Sequence, residues 1–292
     1  MHPHVLHNGQ IRESSERLLT PGQVGLLNGW GVFTTLRVLD GVLFAFERHW
    51  ARMRKDAARL EVPFPADPAA IEEQLLELVA ANRAYNATLR FVVVRNRGGI
   101  WEGPGVERDY DWIAFTAPLH PWGTGVSLAI ESGARHAASP LAGAKMLSWA
   151  FNLLWLERAR RRGFDEAILL KERGEVAECT SANIFIAAGN RVWTPPLGSG
   201  CLPGVTREIL LTGLSAPGIE VGEKPMFPAD LEAAGEVFIT STTRELLPVV
   251  SIEGRPVRRE GGARQQLQAA FSKYVDEYIR RAARAAGPVL TG

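Results

Sequence analysis

Short β-rich runs alternate with segments of helical period along this chain, and that alternation restricts the possible folds more than any other feature. Residues 32–39 are rich in β-branched side chains and end at Asp40-Gly41, a two-residue turn signal that predicts a hairpin. Residues 47–60 carry apolar side chains at helical spacing, which predicts a helix. Residues 68–82 repeat that pattern after a proline at the first turn. The alternation predicts a mixed fold of the α+β or α/β class.

The chain is long enough for two domains, since 292 residues exceed the roughly 100–200 of an ordinary domain. Prolines and a glycine between residues 118 and 123 break both periods and mark a linker. The larger second domain is predicted to hold a helix over 145–162 and a hairpin over 166–179. The predicted division is a small α/β domain over 1–118, a linker over 119–125 and a larger domain over 126–292.

Charge and hydropathy exclude two classes of partner. The formal net charge is +1, so electrostatic attraction to nucleic acid or to an anionic membrane is not expected. No apolar run reaches the ~20 residues of a membrane span, and the first residues show no basic region followed by an apolar core. Two cysteines outside any Cys-x-x-Cys pair favour a reducing cytoplasm. His2, His4 and His7 are expected in an exposed leading segment, and no metal site is predicted.

Lys145 and Glu178 are the residues whose chemistry stands out. Lysine is scarce, with 5 among 33 basic residues, so each lysine is a distinctive candidate nucleophile. Lys145 precedes the predicted helix, and Glu178 lies on a hairpin strand that can fold back toward it. A lysine amine can form a Schiff base, and a carboxylate can keep a ring nitrogen protonated. The alternatives are a solvated lysine at a helix start and a hairpin glutamate that faces water.

Two further segments are suited to hold an anion. Residues 202–207 open a helix predicted over 205–212, so the free N–H groups of Val205 and Thr206 point at any anion placed there. Residues 240–243 form a second cluster of amides and hydroxyls. Together the two segments predict a binding site for a phosphate or a carboxylate.

Three other polar or reactive residues are expected to have no catalytic role. Cys179 lies next to Glu178, but no histidine is near it in sequence to activate it, so a buried cysteine is expected. His49 and His136 are expected to be polar-surface or capping residues.

Three segments, taken in order, resemble the fold-type IV, or class IV, aminotransferases that depend on pyridoxal phosphate (PLP). They are Lys145-Met146-Leu147, residues 164–170 and residues 178–185. That family contains the branched-chain and D-amino-acid aminotransferases, the (R)-amine transaminases and aminodeoxychorismate lyase. The resemblance implies a small N-terminal domain and a larger C-terminal pseudo-barrel domain, with PLP bound between them. It also implies a homodimer whose sites borrow residues across the subunit boundary.

The resemblance assigns roles to residues by their positions. It implies that Lys145 carries the Schiff base and that Glu178 keeps the ring nitrogen protonated. Arg52 matches the arginine that clamps the cofactor phosphate, and Leu202 matches the residue that packs on the cofactor ring. The remaining phosphate contacts are expected from Val205, Thr206, Ser241 and Thr242.

Phe33, Arg95 and Arg97 are the candidates for substrate contacts. The two arginines leave the predicted strand 88–94 and enter a glycine-rich loop at 97–105, where they can meet a substrate carboxylate. Phe33 is expected to form an apolar wall for the substrate side chain. The alternative is that both arginines are solvated loop residues.

Three functions are open within this family. The leading one is an aminotransferase that moves an amino group between an α-amino acid, branched-chain or other and of L or D configuration, and a 2-keto acid. The alternatives are 4-amino-4-deoxychorismate lyase, which releases pyruvate and 4-aminobenzoate, and a non-catalytic PLP-binding protein. Residues 33–38 and Glu178-Cys179 are similar to the lyases, whereas residues 241–243 are similar to the aminotransferases. Ala150 stands where branched-chain aminotransferases carry a tyrosine.

Overall fold

The computed structural model describes residues 1–100, 102–103 and 106–285, and the chain divides into two compact units. Of the described residues, the first unit contains those within Met1–His120, Lys145–Trp149 and 275–285. The second unit contains Pro121–Ala144 and Ala150–Tyr274. The first change of unit falls inside the predicted linker. The predicted second domain is interrupted, because residues 145–149 belong to the first unit.

The first unit is built on one antiparallel sheet. Its strands follow the order β2-β1-β6-β5-β3-β4. In chain order the elements are β1 (His4–His7), β2 (Gln10–Glu13), α1 (Val24–Asn28), β3 (Gly31–Leu39), β4 (Val42–Leu43), α2 (Phe46–Arg59), α3 (Pro68–Ala81), β5 (Ala87–Arg95) and β6 (Tyr110–Ala117).

The core of the first unit lies between one face of this sheet and the helices α2 and α3. Leu36 and Phe91 of the sheet are buried there with Met53 of α2 and Leu75 of α3. Because side chains alternate between the two faces of a strand, Phe33 lies on the opposite face of β3 from Leu36. On that face Phe33 packs with side chains of β5 and with Leu147.

The second unit is built on a mixed sheet. Its main path follows the order β12-β11-β10-β13-β14-β7-β8-β9, and β15 pairs with β14 outside that path. In chain order the elements are β7 (Val126–Arg135), α4 (Ala150–Arg161), β8 (Glu166–Lys171), β9 (Val176–Cys179), β10 (Asn183–Ala188), β11 (Arg191–Thr194), α5 (Val205–Glu208), β12 (Glu220–Glu223), α6 (Pro228–Ala233), β13 (Glu236–Ser241), β14 (Glu245–Ile252), β15 (Arg255–Pro256) and α7 (Ala263–Ala285). The first half of α7 belongs to this unit and the second half to the first unit.

Both faces of the central strands of this sheet are buried. Leu128 and Ile168 lie in one apolar cluster, and Ala167 and Leu169 lie in another with Ala159 of α4. The parallel pairing of β7 with β8 explains this pattern, since parallel strands are usually covered on both faces.

Two predicted helices differ from the observed ones. The helix predicted over 145–162 begins only at Ala150, because residues 145–147 run beside β3 and hydrogen bond with it. The helix predicted over 205–212 is a short α-helix that continues as a π-helical turn over Ile209–Gly213. Several short elements were not predicted; they are β1, β2, α1, β12, α6 and β15.

Some predictions fall on residues outside the described part of the chain. These are Trp101, Pro104 and Gly105 of the predicted glycine-rich loop and residues 286–292 of the predicted second domain. Across residues 1–100, 102–103 and 106–285, no helix is long and apolar enough to cross a membrane. Within the same ranges, no cluster of three or more histidine, cysteine or acidic side chains is arranged to hold a metal ion.

Candidate active site

Lys145 lies in an extended segment that is tied to β3 by its backbone. The Lys145 carbonyl accepts from the Phe33 N–H at 3.1 Å, and its own N–H donates to Asp56 Oδ2 at 3.1 Å. The amine Nζ is 4.5 Å from the centre of the Phe33 ring. Lys145 is half-buried. Lys145 is therefore not at a helix start, because α4 begins only at Ala150. The aromatic ring beside its amine was not predicted from the sequence.

Arg90 is a second cation on the same aromatic ring. Its guanidinium carbon is 4.0 Å from the centre of the Phe33 ring, and burial lowers the pKa of Arg90. Arg90 is not among the site residues predicted from the sequence. It could have been noticed in β5, where its charged side chain interrupts a run of apolar and β-branched residues.

Arg52 is oriented by two buried side chains. Arg52 Nη2 donates to Thr34 Oγ1 at 2.9 Å, and Thr34 Oγ1 lies 2.7 Å from His49 Nδ1. Burial, followed by the charges of Arg52 and Lys145, holds the pKa of His49 well below its usual value. His49 is therefore neutral, and its Nδ1 can accept the Thr34 proton.

The two histidines set aside by sequence analysis differ in their surroundings. His49 is 1% exposed, so the expectation that it is a polar-surface residue is wrong. The pattern of α2 could have indicated this, because His49 lies beside the buried Trp50 and four residues before Met53 on the core side of the helix. His136 pairs with Glu172 at 2.5 Å on the surface, as expected.

Arg95 and Arg97 are both engaged in contacts near their own loop. Arg95 donates from Nε to the carbonyl of Arg97 at 2.8 Å and from Nη1 to the carbonyl of Glu61 at 2.6 Å. Arg97 is exposed and forms ion pairs with Glu102 at 3.2 Å and Asp109 at 3.7 Å. Arg95 therefore stabilises the loop, and a substrate role for either arginine stays a prediction.

In the second unit, Glu178 is the centre of a buried polar cluster. Arg135 donates to Glu178 Oε1 from Nε at 3.1 Å and from Nη2 at 2.6 Å. The backbone N–H of Leu202 donates to Oε2 at 3.0 Å. A carboxylate offers about four acceptor positions, so these bonds leave one position for a further donor. Glu178 is therefore not the solvated hairpin residue of the alternative interpretation, since it is 5% exposed.

Asn183 holds the segment that leads into α5. Its Nδ2 donates to the Leu202 carbonyl at 2.9 Å. A Cβ atom at Gly204 would overlap Asn183 Oδ1, so a larger residue at this position would have to displace the Asn183 amide. Val205 and Thr206 are buried in the first turn of α5, directly after this contact. The close approach of Gly204 to Asn183 therefore determines where the first N–H groups of α5 lie.

The turn from β13 to β14 brings a further group to the same region of the second unit. Thr240 is directly opposite Asn183 in the sheet, so their side chains share a face. Thr240 Oγ1 is buried and has no hydrogen-bond partner among the described residues. Ser241 and Thr242 follow it and are half-buried. Because buried polar atoms are nearly always paired, the Thr240 hydroxyl is available on this face to a water or to a polar ligand.

Cys179 is unsuited to act as a nucleophile. It is fully buried, and burial together with the neighbouring Glu166 raises its pKa well above the usual value. Burial also raises the pKa of Cys201, to about 11. Since the thiolate is the reactive form, both cysteines are structural residues at neutral pH.

Comparison with known proteins identifies the family. The model of the class IV amino-transferases matches residues 31–252. The D-alanine aminotransferase of Bacillus licheniformis is 32% identical over 257 residues, which are 87% of this chain and 89% of that protein. A putative branched-chain-amino-acid aminotransferase of Methanocaldococcus jannaschii is 32% identical over 256 residues, again 87% of this chain and 89% of that protein. The crystal structure of the branched-chain amino acid aminotransferase of Escherichia coli gives a TM-score of 0.86 at 25% identity, over 94% of this chain and 95% of that one.

These matches cover 87–94% of the chain, so they extend over both units. They confirm the predicted family and the predicted fold-type IV class. The chain therefore belongs to the class IV amino-transferase family and is an aminotransferase.

Proposed function

We propose that this aminotransferase uses PLP to move an amino group between an α-amino acid and a 2-keto acid, with Lys145 as the Schiff-base residue. The observation that carries the proposal is the state of Glu178, a buried carboxylate held by Arg135 and Leu202 with one acceptor position left. Such a group suits a protonated ring nitrogen. When bound, PLP supplies an electron sink for the electrons released at the substrate Cα.

Lys145 is suited to hold and move a proton at its amine. The amine lies against the Phe33 ring, and the Arg90 guanidinium lies over the same ring. A lysine amine held at such a place can take up and return a proton in general acid–base catalysis. Asp56 holds the backbone of Lys145 from the other side. The residues present therefore fit the role that the sequence predicts.

The phosphate of PLP is proposed to bind to Arg52, to the first turn of α5 and to the turn after β13. Val205 and Thr206 offer N–H groups at the start of α5. Ser241 and Thr242 add hydroxyl and amide donors, and the unpaired Thr240 hydroxyl beside them supports an anion at this place. Leu202 is proposed to pack on the cofactor ring.

The substrate is proposed to contact Phe33, with Arg95 or Arg97 meeting its carboxylate. The contacts that already occupy Arg95 and Arg97 make Arg90 an additional candidate, because Arg90 shares the Phe33 ring with Lys145. The curated relatives bear the names of aminotransferases for D-alanine and for branched-chain amino acids. We therefore propose small or branched aliphatic amino acids as donors.

A homodimer is also proposed. Phe151, Leu153 and Leu154 at the start of α4 are large apolar residues with 72%, 48% and 44% of their surface exposed. A group of exposed apolar side chains of this kind usually marks an interface.

A cytoplasmic location is proposed as well, supported by the two unpaired buried cysteines.

The test is an absorption titration of the purified protein reconstituted with PLP. We expect L- or D-amino acids of the preferred class to convert the bound cofactor to its pyridoxamine form, and a 2-keto acid to reverse the conversion. The enantiomer that reacts identifies the donor. A protein that binds no PLP contradicts the proposal, and release of pyruvate from 4-amino-4-deoxychorismate without amino transfer would assign the lyase reaction instead.

A further inference from the structure

A chain of buried hydrogen bonds starts from Glu178 in the second unit. Arg135, which pairs with Glu178, donates from Nη1 to Asn152 Oδ1 at 3.2 Å. Asn152 donates from Nδ2 to the carbonyl oxygen of Thr180 at 2.5 Å. The orientation of Glu178 is therefore linked to the segment that directly follows it in the sequence.

Glu166 binds the same segment to β8. Its Oε1 accepts from the Thr180 hydroxyl and from the Ala167 N–H, and its Oε2 accepts from Ser181 Oγ at 2.6 Å. Glu166 is 1% exposed. Residues 164–170 carry part of the family resemblance, yet the proposed function assigns Glu166 no role.

Arg244 joins this network from the turn between β13 and β14. Its Nη2 donates to Glu166 Oε2 at 3.2 Å and to Ser181 Oγ at 3.0 Å, and its Nη1 donates to the Ser181 carbonyl at 3.1 Å. The guanidinium carbon also lies 3.7 Å from the centre of the Trp122 ring. These contacts fix the side chain of Arg244.

The backbone of Arg244 closes the turn that contains Ser241 and Thr242. The Arg244 N–H donates to the Ser241 carbonyl and to Ser241 Oγ, both at 3.2 Å. Ser241 Oγ accepts this bond, so its own proton is available for another acceptor. A fixed Arg244 side chain therefore fixes the positions of the Ser241 and Thr242 donors.

Stability alone does not account for a buried charge pair at this place. Removing both charges from water costs about as much as their attraction returns, and an apolar pair of similar volume is often as stable. The pair instead fixes the relative orientation of the segments it joins, because the planar guanidinium and the carboxylate together make several hydrogen bonds of defined geometry.

We propose that Glu166 and Arg244 are positioning residues that hold the 241–244 turn at a fixed place relative to β9. In this arrangement Ser241 and Thr242 can contact the phosphate of a PLP molecule while Glu178 contacts its ring nitrogen. The inference rests on the proposed function, which assigns Ser241 and Thr242 to the phosphate. Neither Glu166 nor Arg244 is proposed to touch the cofactor.

The test compares the affinity of the full chain, freed of cofactor, for PLP and for pyridoxal, which lacks the phosphate. The double variant Glu166→Gln/Arg244→Met removes both charges together, so no uncompensated charge stays buried. We expect its PLP affinity to fall about tenfold and its pyridoxal affinity to change by less than about twofold, on the scale of one charge-assisted hydrogen bond. The matched control is Glu232→Gln/Arg255→Met, an exposed pair of the same unit at 2.8 Å, which we expect to change neither affinity.

A second variant, Arg244→Lys, keeps the positive charge and the apolar stem but not the planar fork, so it folds even if the double variant does not. We expect it to lower the preference for PLP over pyridoxal as well. An unchanged preference in either folded variant overturns the positioning role. If the wild-type protein binds PLP no more tightly than pyridoxal, the phosphate assignment fails together with this inference. If the wild type prefers PLP and the variants match it, only this inference fails.

Discussion

Lys145 lies against the Phe33 ring, which also carries the guanidinium of Arg90. Its amine is the group proposed to form the Schiff base with the cofactor. We expect borohydride reduction of the protein with PLP, followed by peptide mapping, to leave the cofactor mass on Lys145. Label on Lys55, Lys171, Lys224 or Lys273 instead would show that the assignment is wrong.

Glu178 is expected to control the proton on the cofactor ring. Glu178→Gln keeps an acceptor for the Leu202 N–H but removes the charge that a protonated ring nitrogen needs. We expect PLP to stay bound while Cα deprotonation slows by roughly 10²-fold or more, measured in single-turnover half-reactions. The control is Glu172→Gln, because Glu172 is an exposed glutamate paired with His136, and this variant should react at the wild-type rate. Equal rates in Glu178→Gln and wild type would remove Glu178 from the mechanism.

His49 predicts a dependence of stability on pH. Burial holds its pKa in the folded protein well below the ordinary value near 6.5. Below pH ~6.5 the unfolded chain therefore binds a proton that the folded chain does not, so stability is complete above that pH and falls by about 1.4 kcal/mol per pH unit below it.

His49→Gln removes this titration. We expect the urea midpoint of the wild type to fall more steeply than that of His49→Gln between pH 6.5 and about 5. His136→Gln, at an exposed position, should keep the wild-type slope. Parallel curves for wild type and His49→Gln would mean that His49 does not carry this effect.

At the scale of the element, the segment that leads into α5 depends on one close contact. Gly204→Ala places a Cβ where Asn183 Oδ1 lies, so the Asn183 amide that holds the Leu202 carbonyl must move, and we expect the segment that leads into α5 to move with it. We expect PLP affinity to fall about tenfold, measured by fluorescence titration, on the scale of one lost hydrogen bond to a charged group. Gly198→Ala is the control, because a Cβ at Gly198 meets open space and its backbone is not in the left-handed region. If both variants bind PLP equally well, α5 does not contribute to the phosphate site.

The segment around Lys145 shows why a helix pattern in the sequence can be overruled. Residues 145–149 have no helix-breaking residue, yet Met146 forms a bridge with Val32 and Leu147 donates to the Gly31 carbonyl at 2.9 Å. Partners far away in the sequence thus satisfy the backbone groups that a helix would otherwise pair. The helix begins where these partners end.

At the scale of the whole molecule, the exposed apolar start of α4 predicts association of two copies. Phe151→Asp puts a charge at the most exposed of these side chains, so the cost of desolvating it should oppose a dimer. We expect the variant to be monomeric at concentrations at which the wild type is dimeric, measured by sedimentation or light scattering. Tyr85→Asp, at an exposed aromatic residue of the first unit, is the control and should match the wild type. Identical masses for Phe151→Asp and wild type would exclude this face from the interface.

Features that depend on local order can be predicted from the sequence alone. The Asp40-Gly41 hairpin and the helices α2 and α3 follow from residue type and spacing. Membership in the class IV family was predicted from the resemblance of three segments and is confirmed by the match of the family model. The candidate site residues Lys145 and Glu178 and the two anion-binding segments were likewise predicted from their residue types and their order along the chain. These features need no knowledge of distant contacts, because each is encoded in a short segment or in the order of segments.

Contacts between residues that are distant in the sequence could not be predicted in this way and are seen in the three-dimensional structure. It brought Arg90 and Lys145 to one ring, buried His49 beside Thr34 and joined Glu166 to Arg244 across 78 positions. It also assigned Lys145 to the first unit. No local period encodes such pairs, because they arise from strand pairing and from the burial of charges between elements that are far apart in the chain.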